Sequence, residues 1–116
     1  LNYKALLIGV NEYRHNKHYV NLDKVSNDVD AMHQLLINSP CQYTSTVLRG
    51  NNATYEQTIN SLNDFFHCCE DDVLFLYWAG HGTGSNFIAY DTNPRAESNT
   101  GINVKYLGDM IENAKS

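Results

Sequence analysis

Among the side chains that can do covalent or proton-transfer chemistry, one is marked out by its setting. His81 stands between Gly80 and Gly82, directly after the apolar run Val73-Leu74-Phe75-Leu76-Tyr77-Trp78-Ala79. An imidazole exchanges its proton close to neutral pH. Glycine neighbours allow a substrate backbone to come near it. That combination suits a general acid or base; a turn histidine that only closes a core strand is the alternative. The thiols are Cys41, Cys68 and Cys69, three in all. An odd number with two adjacent does not make a disulfide framework, so they read as reduced thiols of a cytoplasmic protein.

Other groupings carry less. Gly80, Gly82 and Gly84 do not have the spacing of a dinucleotide loop, and they follow a strand without opening a helix. His67-Cys68-Cys69 places potential metal ligands on adjacent positions that point in different directions, and no second ligand pair has zinc spacing. His15 and His18 read as loop surface, and His33 as the polar side of a helix. Asn52-Ala53-Thr54 matches a glycosylation sequon but is explained by a turn and a helix cap. No metal and no cofactor is expected.

The elements that must position His81 follow from the apolar pattern. Residues 73–79 are apolar without alternation, which is the mark of a strand buried on both faces of a parallel sheet. Residues 3–10 are nearly all apolar and make a first, central strand. A polar loop over residues 11–23 leads to a helix with Val25, Val29, Met32, Leu35 and Leu36 on one face. Ser26 or Asn27 is its expected cap and Ser39-Pro40 its stop. Residues 43–48 are β-branched and aromatic, hence a second strand. Thr54 and Gln57 have capping-box spacing ahead of a helix with the stripe Tyr55, Ile59, Leu62, Phe65 and Phe66. After His81, residues 87–91 suggest a short strand in a hairpin and residues 92–100 a loop. Val104, Leu107, Met110 and Ile111 support a last helix.

The order is α/β, a three-layer pattern with right-handed crossovers and a mostly parallel sheet. A strand order with the first strand central would leave the most apolar strand, residues 73–79, at an open edge. Natural folds cover such edges. A further strand is therefore expected beside it, and residues 1–116 read as one incomplete domain.

Composition removes several classes of function. The net charge is −5, from 8 basic and 13 acidic residues, with no Lys/Arg cluster, which argues against a nucleic-acid surface. No apolar segment approaches roughly 18 residues, so no membrane span is expected, and no signal peptide is read at the start.

Taken together, Lys4 through Tyr13 (KALLIGVNEY), Leu22, the segment Asn27-Asp28-Val29-Asp30-Ala31-Met32, and Tyr77-Trp78-Ala79-Gly80-His81-Gly82 resemble the large-subunit part of the caspase-like cysteine proteases. Metacaspases and bacterial caspase homologues are the nearest in kind. The resemblance runs over essentially the whole chain. It implies a mostly parallel sheet with helices on both faces, and a dyad of histidine and cysteine at the ends of neighbouring strands. His81 would be the dyad histidine and the Gly82 N–H an oxyanion donor.

The resemblance also implies what this sequence does not hold. The family's cysteine lies in an Asp-x-Cys segment on a later strand, and Cys41, Cys68 and Cys69 are not at that place. The chain alone is expected to be inactive, with the cysteine on the remainder of the domain or on a second chain. Asp28 matches the aspartate that gives metacaspases an acidic pocket for Arg or Lys. An acidic residue in a first helical turn is also favourable with no substrate involved. Asp91 is a second acidic candidate. Asn103-Val104-Lys105 stands where some metacaspases bind Ca²⁺, so no such site is expected. The implied function is a cysteine-type endopeptidase acting on peptides or proteins after basic residues. A catalytically inactive caspase-fold interaction or regulatory module is the alternative, and a non-proteolytic nucleotide-binding domain a remoter one.

Overall fold

The computed structural model describes residues 2–68 and 70–114, so Cys69 lies outside the described residues. Strand β1 (Tyr3–Gly9) pairs in parallel with β2 (Thr44–Arg49) on one side and β3 (Val73–Ala79) on the other, giving the order β2-β1-β3. Leu7 stands opposite Val47 and Tyr77, and Ile8 opposite Leu48 and Trp78. The nearly all-apolar composition of β1, with Lys4 near its start, is explained by this central place, since both of its faces are covered.

Successive residues of a strand point to opposite faces, and β1 feeds two cores in this way. Ala5 and Leu7 pack with Val25, Val29 and Leu36 of helix α1 (Val25–Ile37). Leu6 and Ile8 pack with Leu62 and Phe65 of helix α2 (Tyr55–Phe66) and with Leu107 of a later helix. The result is three layers, with helices on both faces of a parallel sheet. β3 is equally apolar but is only partly buried along its length, as an edge strand must be.

Two details of α1 differ from expectation. Its N-cap position is Lys24, with no side-chain cap, rather than Ser26 or Asn27. Ser26 is engaged elsewhere, because its Oγ accepts a 3.2 Å hydrogen bond from Arg49, which also forms a 2.8 Å ion pair with Asp30. Leu35 is 67% exposed rather than buried. At roughly 100° per residue, Val25, Val29, Met32 and Leu36 cluster on one line, and Leu35 falls well to its side.

Helix α2 follows the expected capping. Thr54 Oγ1 accepts from the Gln57 N–H at 3.2 Å, which satisfies one of the free amides of the first turn. Tyr55 is exposed, and Thr58 takes the buried place near that end.

Beyond His81 the fold is more ordered than the sequence suggests. The short strand is β4 (Asn86–Phe87), paired antiparallel with the distant β5 (Ile102–Asn103). Residues 92–100 are not an open loop: they form a 3-10 turn (Pro94–Ala96) and the one-turn helix α3 (Glu97–Thr100). Side chains supply the missing backbone partners. Asn93 accepts from the Arg95 N–H, Thr100 Oγ1 donates to Ala96 O, and Thr92 Oγ1 donates to Thr100 O while accepting from the Ala89 N–H. Helix α4 (Val104–Asn113) is capped by Asn103 and buries Leu107, with Val104 and Ile111 exposed. No helix is long and apolar enough to cross a membrane among the described residues.

Candidate active site

β1, β2 and β3 are parallel, so their carboxyl ends share one edge of the sheet, the edge where α/β folds bind ligands. The loops that leave β1 and β3 meet there. The Val10 N–H donates to Ala79 O at 2.9 Å, extending the β1–β3 pairing by one step. β3 then stops at Gly80, whose φ of +154° is foreign to most side chains. A Cβ at Gly80 would also lie 3.0 Å from Tyr13 Oη and 3.2 Å from Val10 O. A side chain there would be strained in conformation and tight against both neighbours.

His81 is held at three points. Its N–H donates to Tyr13 Oη at 2.8 Å, and its carbonyl accepts from the Ile88 N–H at 3.1 Å. Its ring nitrogen Nε2 is 2.7 Å from the Val20 carbonyl oxygen. A carbonyl can only accept, so Nε2 carries the hydrogen in this contact. In the neutral imidazole Nδ1 is then the basic nitrogen. The side chain that could take or give a proton has one defined tautomer and one defined working atom.

Gly82 pairs with Phe87 as an isolated antiparallel bridge. The bonds around it run from Ile88 N to His81 O and from Thr83 N to Asn86 O. Gly82 and Phe87 are thus a non-hydrogen-bonded pair, which leaves the Gly82 N–H outside the ladder. Gly82 is an exposed residue, adjacent to His81 in the chain. A donor left free in that way can stabilise a developing oxyanion.

The acidic candidates lie at the same end of the sheet. A Cβ on Gly9, at the carboxyl end of β1, would meet Val25 and Val29, so the first turn of α1 sits over that end. Asp28 belongs to this turn and is exposed. Asp91 is half-buried, and its Oδ1 accepts from the Tyr55 N–H at 2.7 Å, adding a second cap to α2. The structure gives neither carboxylate a bond to His81.

The described thiols are at the other end. Cys41 lies in the connection into β2 and Cys68 in the connection into β3, and both are free. Cys68 Sγ donates to Ala114 O at 3.2 Å. Seven residues of strand separate this edge from the His81 edge, roughly 20 Å. Neither thiol can share a carbonyl with the imidazole. Among the described residues no cluster of three or more His, Cys, Asp or Glu side chains is placed to hold a metal ion.

The sequence alone assigns no role to Tyr13, Val20 or Asn21: Tyr13 only closes the first segment that carries the family resemblance, and Val20 and Asn21 lie in a stretch that reads as polar loop. Tyr13 is 2% exposed and packs its ring 5.0 Å from that of His81. Asn21 Oδ1 accepts from the Tyr13 N–H at 3.0 Å. The available signal was the pair of aromatics, Tyr13 and Tyr19, in an otherwise hydrophilic segment. Val20 acts through its carbonyl, which no side-chain pattern reveals. Burial raises the Tyr13 phenol above its ordinary pKa, against a lowering by the His81 N–H, so it stays protonated near neutral pH.

No curated protein matches the chain. A family model, that of the caspase domain (peptidase C14), matches residues 2–114. With the parallel three-layer sheet and a match over nearly its whole length, the chain belongs to the caspase domain family of peptidases.

Proposed function

We propose that this chain is the histidine-bearing part of a caspase-type cysteine endopeptidase of metacaspase-like specificity, which cleaves protein or peptide substrates after Arg or Lys. The observation that carries the reading is the Nε2 contact of His81 with Val20 O, which leaves Nδ1 at the carboxyl end of β3 as a proton acceptor. The nucleophile comes from a cysteine outside residues 1–116, on the remainder of the domain or a second chain. The half-exposed apolar edge of β3 supports a neighbouring strand there.

In this mechanism His81 takes the thiol proton, and the thiolate attacks the scissile carbonyl. The Gly82 N–H, with the cysteine's own N–H, holds the resulting oxyanion. His81 then gives the proton to the leaving amine, and water hydrolyses the acyl-enzyme. Asp28 receives the basic side chain, with Asp91 as a second acidic group. The free thiols Cys41 and Cys68 support a reducing, cytoplasmic setting.

The test is hydrolysis of Arg-, Lys- and Asp-ended peptides by the full-length protein and its His81→Ala variant. Cleavage after Arg or Lys that vanishes in the variant supports the reading. Cleavage that persists removes His81 from the mechanism. Absence of cleavage in the parent protein, with partner binding unaffected by His81→Ala, favours an inactive interaction module.

A further inference from the structure

We infer that the Tyr13 hydroxyl is a positioning group for His81, and that it ties the imidazole's tautomer and aim to the end of β1. The inference rests on the protease reading for its kinetic consequence and on geometry alone for its structural one. Tyr13 Oη donates to Val10 O at 3.0 Å and accepts from the His81 N–H at 2.8 Å. It is thus a relay between the first backbone carbonyl beyond the central strand and the amide of the proposed catalytic residue. The connection is needed because the regular pairing has ended. Val10 N to Ala79 O is the last bond of the β1–β3 ladder. One residue later the strands part, and the phenol fills the gap that a further ladder bond would close.

Three observations show that this place is built for a hydroxyl. The ring is buried and packs against the imidazole at 5.0 Å, so it cannot swing away without exposing its apolar face. Gly80 clears the space that Oη occupies, since a Cβ there would meet it at 3.0 Å. The Tyr13 N–H is in turn fixed by Asn21, next to the Val20 carbonyl that binds Nε2. One loop therefore grips His81 twice, at the amide through Tyr13 and at the ring through Val20. A shift in the first grip moves the ring relative to the second.

Tyr13→Phe keeps the ring contact and removes only the relay. In the full-length protein it is expected to lower kcat roughly tenfold to a hundredfold, as a small misplacement of a catalytic group does, with KM little changed. Asn103→Ala, which removes the α4 cap and touches no part of the relay, serves as the destabilised control and is expected to keep the parent kcat. The second readout is the ¹⁵N NMR spectrum of the His81 imidazole. The parent should show one tautomer with Nε2 protonated, and Tyr13→Phe a mixture of tautomers. Tyr13→Phe with the parent kcat and an unchanged imidazole spectrum overturns the inference. A parent that cleaves nothing overturns the protease reading, and the spectrum alone then decides for or against the relay.

Discussion

His81 Nε2 and the Val20 carbonyl oxygen stand 2.7 Å apart, joining the carboxyl end of β3 to the loop that leaves β1. A backbone carbonyl orients the imidazole here, the task that a carboxylate performs in a Ser-His-Asp triad. A carbonyl can only accept, so it fixes which ring nitrogen carries the hydrogen and the plane of the ring. The aim of the imidazole then depends on how firmly the loop holds that oxygen in place.

Asn21→Ala tests the firmness of the loop. The variant leaves the Tyr13 N–H without its 3.0 Å acceptor and frees the residue next to Val20. A lost hydrogen bond of this kind costs about 1 kcal/mol, which thermal denaturation would read as a drop of a few degrees. In the full-length protein kcat should fall several-fold with KM unchanged. A lower melting temperature with unaltered kcat would show that the Val20 carbonyl keeps its place without Asn21.

Gly9 tests the packing that sets α1 on the sheet. A Cβ at Gly9 would lie 2.4 Å from Val29 Cγ2, and the stiff, β-branched Val29 cannot easily turn its methyl away. Gly9→Ala should destabilise the fold by about 1–3 kcal/mol through overpacking. The double variant Gly9→Ala, Val29→Ala should lose less than the sum of the two single changes, because the new methyl enters the space vacated. Denaturant unfolding of the four proteins measures both numbers. Simple additivity would mean that the backbone moves apart instead.

These residues show which parts of the structure were legible beforehand. β1 and β3 are read from long apolar runs because a parallel sheet with helices on both faces leaves little room for polar side chains. The Thr54 cap is read because its chemistry is local, three residues from donor to acceptor. Ser26 was misread for the opposite reason: its partner, Arg49, lies on another element. Residues 92–100 looked like a loop because their order comes from Thr92, Asn93 and Thr100 bonding to backbone, which polar composition alone cannot distinguish from solvation. At the site, His81 was legible from its position at a strand end. Tyr13 and the Val20 carbonyl were not, since each acts across a gap of 60 or more residues.

Tyr19 gives the fold a defined alkaline limit. Its hydroxyl donates to Glu97 Oε1 at 2.6 Å, and burial followed by the Glu97 carboxylate pushes its pKa up to about 12, from an ordinary value of 10.0. The neutral phenol is the form the fold prefers. By linkage, this contribution is fully present below pH 10.0 and is lost as pH rises from there to about 12. Tyr13, raised by burial, acts in the same sense. Tyr19→Phe should be less stable than the parent at pH 8 and lose less than the parent between pH 10 and 12. Parallel stability curves for the two proteins over that range would remove Tyr19 from the alkaline transition.

Asp28 and Asp91 share one end of the sheet but have different surroundings, and that difference allows the proposed pocket role to be separated from a scaffold role. The Asp28 carboxylate is exposed in the first turn of α1, where helix polarity favours it by only about 0.3–1 kcal/mol. The Asp91 carboxylate is already engaged by the Tyr55 N–H at 2.7 Å. Asp28→Asn should therefore change stability little while lowering kcat/KM for Arg-ended peptides about tenfold or more, the loss of roughly 1.4 kcal/mol expected when a cationic side chain loses its counter-charge. Asp91→Ala should do the reverse, costing about 1 kcal/mol of stability through the lost cap with a smaller effect on the preference for Arg over uncharged residues. Peptide kinetics and thermal denaturation of both variants measure the two effects side by side. If Asp91→Ala abolishes the preference and Asp28→Asn leaves it intact, the basic side chain docks beside α2 rather than α1. The Tyr55 amide then shares its carboxylate partner with the substrate.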